Sequence, residues 1–76
     1  MDFKIGKIYS FNKTTGVGQI VTDEKIYMFT IDDLLVPIEE LNDGDIVKFK
    51  GEKVYDKVDK AFFIKKLKID SNKINH

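Results

Sequence analysis

K-I-G-K-I-Y-S-F-N-K-T-T-G-V-G-Q-I-V-T-D-E-K-I-Y-M-F-T, from Lys4 to Thr30, is the stretch that decides the fold. It holds three runs rich in β-branched and aromatic residues, separated by short polar turns, which is the pattern of an antiparallel meander. The first strand is expected over Lys4 to Asn12, ending in K-T-T-G. The second runs from Val17 to Thr22 and stops at Asp23 and Glu24; the third runs from Lys25 to Thr30. Side chains alternate across a strand, so Lys25, Tyr27 and Phe29 share one face, and Ile26, Met28 and Thr30 the other. In the second strand Val17, Gln19 and Val21 oppose Gly18, Ile20 and Thr22.

Beyond the meander the pattern changes. D-D-L-L-V-P-I-E-E-L-N-D-G carries two acidic pairs, a proline that stops any long helix and an Asn-Asp-Gly turn, leaving room for one short helical turn near Asp32. A fourth strand is predicted over Asp45 to Lys50 and a fifth over Ala61 to Ile69, joined through Y-D-K-V-D-K. Ten isoleucines and six valines against one alanine, Ala61, support strands over helices throughout. One domain over residues 1–69 and a polar, frayed tail over 70–76 result. Five antiparallel strands with a long excursion after the third fit a small closed barrel, which removes exposed sheet edges. An SH3-like barrel has the same strand content. Inward parity selects Ile8, Ile20, Ile26, Met28, Val47, Phe49 and Ile64 as the expected core.

The 76 residues are 42% hydrophobic and 34% charged, enough for one core and too few for a large catalytic cleft. There is no cysteine and the one histidine is His76, so disulfides, thiolate nucleophiles, histidine bases and zinc constellations of the usual kind are excluded. Ser10 and Ser71 have no histidine partner, the N-D-G-D segment is too short for a calcium loop, and adjacent acids such as Asp32/Asp33 or Glu39/Glu40 cannot flank a substrate. We therefore expect neither enzyme activity, metal nor cofactor. With no long apolar run at the start or elsewhere, the chain reads as cytoplasmic and not membrane-bound.

Thirteen acids balance thirteen bases, all of them lysine, but unevenly. Residues 1–20 carry a net +2, residues 23–45 a net −7, and the remainder +5. Without arginine, bidentate reading of guanine is disfavoured. The glycines of T-G-V-G-Q-I lack the G-K-[ST] of a phosphate loop and mark a bulge, a bend or a close approach instead. Tyr27 and Phe29 could fill the barrel core or form a wet stacking face. Lys25 shares their face while the Ile26/Met28 face is uncharged, which places the aromatics on the solvent side.

The order of these motifs resembles the cold-shock domain, a five-stranded OB-fold barrel that binds single-stranded RNA and DNA. G-K-I-Y-S-F-N (Gly6 to Asn12) is similar to the family's G-K-V-K-W-F-N, and T-G-V-G-Q-I (Thr15 to Ile20) to its K-G-F-G-F-I. I-Y-M-F-T (Ile26 to Thr30) stands in the place of V-F-V-H-F, and L-N-D-G-D-I-V-K-F (Leu41 to Phe49) resembles L-x-E-G-x-x-V-x-F. Ala61 and Ile64 resemble the family's A-x-N-V ending, so the likeness spans about residues 5 to 67. It implies an all-β OB-fold barrel that binds single-stranded nucleic acid through Tyr9, Phe11, Lys13, Tyr27 and Phe29, with Lys7 and Lys25 adding charge. Four of the family's stacking rings are replaced here, by Ser10, Val17, Gln19 and Thr30, so binding is expected to be weak and of low sequence specificity. A barrel repurposed to bind a protein partner is the alternative. Strict alternation also puts Ser10 on the Ile8 face, away from Tyr9 and Phe11. The family's arrangement needs a bulge in the first strand, and the residues alone do not decide that point.

Overall fold

The structure is a computed structural model and describes residues 2–67. Five strands, β1 (Lys4–Asn12), β2 (Val17–Val21), β3 (Ile26–Thr30), β4 (Ile46–Val54) and β5 (Val58–Lys66), form a closed barrel in the order β1-β2-β3-β5-β4. The fold is thus all-β and OB-fold-like. Neighbouring strands are antiparallel except β3 and β5, which run parallel through Met28 and Lys60, so the expectation of an entirely antiparallel barrel is corrected there. The parallel pair follows from connectivity: the excursion after β3 carries the chain across the barrel, and the β4–β5 hairpin reverses it.

The first strand serves two partners. Its N-terminal half pairs with β4 from Lys4 to Lys7, and its C-terminal half with β2 from Lys7 to Asn12. Between Ile8 and Ser10 the register shifts by one residue, leaving Tyr9 as a bulge. This settles the conflict of alternation in β1: the extra residue lets Ile8 and Phe11 both point inward while Ser10 pairs with Gln19 on the β2 strand. A second bulge in β5, where Phe63 and Ile64 oppose Phe49, brings both Ala61 and Ile64 into the core.

The core consists of Ile8, Phe11, Ile20, Tyr27, Phe29, Leu41, Val47, Phe49, Ala61 and Ile64, with Leu34 and Ile38 packed against it. Five of the expected core residues are there. Ile26 and Met28 are not: Ile26 is 50% exposed and Met28 only half-buried, whereas Tyr27 and Phe29 are 4% and 1% exposed. The assigned facing of β3 is therefore inverted, for two physical reasons. Lys25, whose charge had assigned the wet face, lies before the first residue of β3, so strand parity does not bind it. It sits beyond Thr22, in a turn where the Thr22 hydroxyl accepts from the Glu24 and Lys25 amides, and its amine reaches Asp59 at 3.4 Å. The second reason is space. Gly18 lies directly opposite Phe29 across β2–β3, and a Cβ there would collide with the Phe29 ring; Gly51 makes the same room for Tyr27. Phe29 then packs against Phe11 with centroids 5.2 Å apart, and Tyr27 meets Phe49 edge-on at 4.9 Å.

The excursion holds two short 3-10 helices, Ile31–Asp33 and Ile38–Glu40. The first matches the turn expected near Asp32. The second, following Pro37, was not anticipated. Asp33 is buried; its Oδ2 accepts from the Thr30 amide at 2.9 Å and pairs with Lys60 Nζ at 2.6 Å. Leu35 N–H donates to the Ile64 carbonyl at 2.7 Å and Leu34 bridges to Ile64, so this segment seals the β3–β5 side of the barrel. Strands β4 and β5 extend toward each other further than expected, to Val54 and from Val58, leaving only Tyr55 to Lys57 as the turn. The predicted tail over 70–76 and the end of the fifth strand at Ile69 lie outside the described residues.

Replacing Gly18 by alanine should force the buried Phe29 ring to shift and cost about 1–3 kcal/mol, read by urea denaturation. Asp33→Ala should cost about 1–3 kcal/mol by the same measurement, because it removes the Thr30 cap and leaves the half-buried Lys60 amine without its carboxylate. Either substitution leaving the midpoint unchanged would refute the packing described.

Candidate nucleic-acid interface

The seven residues expected to form the interface divide cleanly. Lys7, Tyr9, Lys13 and Lys25 are exposed, and Tyr9, the residue of the β1 bulge, is 64% exposed. Phe11, Tyr27 and Phe29 are core residues, exposed by 9%, 4% and 1%, and offer no ring face to a base. Their assignment to the wet face is corrected: bases cannot stack on rings that hold the barrel together. Lys25 remains near Tyr27, its amine 5.8 Å from the ring centroid, but it is committed to Asp59.

Cross-strand pairing then defines what the outer face of β1–β2–β3 presents. Ser10 pairs with Gln19, Gln19 with Met28 and Met28 with Lys60, in a row across four strands. Gln19 Nε2 lies 3.6 Å from Met28 Sδ. This row is flanked on one side by the row of Asn12, Val17 and Thr30 and on the other by the row of Lys7, Val21 and Ile26. All four positions where the resemblance places stacking rings, Ser10, Val17, Gln19 and Thr30, fall in these rows. The surface is aliphatic and polar, with Tyr9 at its margin. Lys13 donates to Asn42 Oδ1 at 3.2 Å, and neither Lys7 nor Lys13 has a carboxylate within 4 Å among the described residues.

Other exposed rings stand on the opposite side of β1. Phe3 is 39% exposed, and its ring has the amines of Lys48, Lys50 and Lys65 at 4.7, 5.0 and 5.6 Å from its centroid. Phe63 is 53% exposed and lies 5.7 Å from the same Lys50 amine. Its backbone is left-handed, with φ of 53°, a conformation that costs a residue with a Cβ about 1–3 kcal/mol. Sequence reasoning passed over this group, though two signals were present. The alternation D-I-V-K-F-K turns Lys48 and Lys50 outward together, and consecutive phenylalanines Phe62 and Phe63 cannot both face inward.

An open groove of about 590 Å³ runs between β1 and the β2–β3 turn. It is lined by Lys4 and Lys7 on one side and by Asp23 and Glu24 on the other, so its charges oppose one another and create no field of a single sign. A scan against protein-family models and a search of curated proteins both found no match to this chain.

Proposed function

We propose that this domain binds single-stranded nucleic acid on its outer surface, weakly and with little sequence preference. The observation that carries the reading is the exposed Tyr9 on β1 of an OB-fold-like barrel, flanked in sequence by Lys7 and Lys13, two exposed lysines with no carboxylate within 4 Å among the described residues. A ring can stack on any base, and lysine acts on phosphate as a point charge with no preference for the base attached. The motif order shared with cold-shock domains supports the same reading, and a cytoplasmic location goes with it. The loss of four stacking rings sets the expected strength: low affinity, with the electrostatic share dominant. The acidic excursion, with Asp32, Glu39, Glu40 and Asp43 exposed, repels phosphate and confines a strand to the lysine-bearing side.

A second reading rests on a different observation. Val17, 42% exposed, Ile26 and half-buried Met28 form an aliphatic strip on β2 and β3, a surface suited to a protein partner rather than to bases.

Titrating the protein with short pyrimidine-rich single strands at two salt concentrations separates the readings. We expect a slope of log affinity against log salt of roughly −1.5 to −3, corresponding to about two to four phosphates. Tyr9→Ala should weaken binding by about 1–3 kcal/mol with the fold intact. Tyr27→Ala should instead lower stability by about 3–5 kcal/mol, as deletion of a buried ring does. Absence of binding at low salt would favour the protein-partner reading.

A further inference from the structure

We propose that the face formed by the start of β1 with β4 and β5 is a separate single-strand contact surface. In it Phe3 and Phe63 stack bases, and Lys48, Lys50 and Lys65 hold the phosphates. The proposal rests on the nucleic-acid reading and places the principal contact on the side of β1 away from the rows that carry Ser10, Gln19 and Met28.

Four observations converge on it. The first is charge. Lys48 pairs with Lys65 across β4–β5, and their amines, with that of Lys50, gather around one ring; none of the three has a carboxylate within 4 Å among the described residues. Elsewhere on the same two strands the lysines are neutralised, Lys53 by Asp59, Lys60 by Asp33 and Lys66 by Asp45. Three like charges drawn together without a counter-charge form a site that an external anion completes.

The second observation is ring exposure. Phe3 and Phe63 remain 39% and 53% exposed although both are large and apolar, and Ile5, 59% exposed, lies on the same outward side of β1 as Phe3. The third is their spacing. The single amine of Lys50 lies within 6 Å of both ring centroids, so rings and cations interleave on one surface, as base and phosphate do along a single strand. An acidic peptide would meet the lysines and leave the rings wet, which is why a nucleic acid is the occupant the surface favours.

The fourth observation is strain. The bulge that brings Ile64 into the core places Phe63 in the left-handed region, which glycine would occupy without a Cβ penalty. Phenylalanine stands there instead, with its ring in solvent. Nothing in the core uses that ring, so its position is accounted for by what it meets outside. With phosphate bound, the amines now resting over Phe3 turn outward and free the ring face for a base.

The test uses fluorescence anisotropy of a labelled oligothymidylate of about ten nucleotides, a length within the footprint of one such barrel. Phe63→Gly relieves the left-handed backbone, so its melting temperature should equal or exceed that of the parent while its affinity falls. Combined with Phe3→Ala, the loss should reach about tenfold or more. Replacing Lys48, Lys50 and Lys65 by glutamine should make the salt slope shallower by about 2, since each single-strand phosphate contributes about 0.7. If the parent binds and only Tyr9→Ala abolishes binding, this surface is refuted while the nucleic-acid reading stands. If the parent binds no oligonucleotide at low salt, both fail. A poly-glutamate peptide bound as tightly as the oligonucleotide, and indifferent to loss of Phe3 and Phe63, would make the occupant an acidic protein and overturn the proposal.

Discussion

Two aromatic rings seated over two glycines hold this barrel in register. Phe29 occupies the space above Gly18 and Tyr27 the space beside Gly51, and a side chain at either glycine would evict the ring opposite. A barrel of this length has few residues with which to fill its interior, and aliphatic side chains on five short strands leave a gap that planar rings close. Once those rings turn inward, every other side chain of β3 is fixed by alternation, and Ile26, Met28 and Thr30 must look outward. The composition of the outer face is therefore a by-product of how the core is filled.

The same constraint shapes the division of charge. Asp33, the one buried acid among the described residues, is held by the Thr30 amide and Lys60 and ties the excursion to β5. Asp45 pairs with Lys66 of β5, and the other acids of the 31–45 excursion, Asp32, Glu39, Glu40 and Asp43, are exposed, while lysines collect along β4 and β5. A net charge of zero thus conceals two regions of opposite sign on a small surface.

Much of the fold was legible in the residues. β-Branched runs and polar turns located all five strands, and the limits of β1 were readable because K-T-T-G follows it immediately. The facing of β3 was not, because both of its faces are apolar and the one charge used to choose between them, Lys25, sits in a turn. The informative residue was Gly18 on the neighbouring strand, whose missing side chain makes sense only with a ring opposite. The length of β4 was hidden by Glu52 and Lys53, polar residues of a hairpin end where Lys53 and Val54 pair with Asp59 and Val58. Of the candidate site, the exposure of Lys7, Tyr9 and Lys13 was legible from β1 and the turn after it. The group around Phe3 was not, because its members are brought together only when β1 closes against β4 and β4 against β5.

The parallel contact between β3 and β5 is narrow: Met28 opposite Lys60, continued by the Leu34 bridge and the Leu35 amide to Ile64. The other seams are antiparallel ladders several residues long. The barrel thus has one weak seam, where a low-energy fluctuation can open the wall while the β1–β4 ladder still joins the meander to the β4–β5 hairpin. The breathing of the native state is thereby assigned to one seam, latched by a single buried carboxylate.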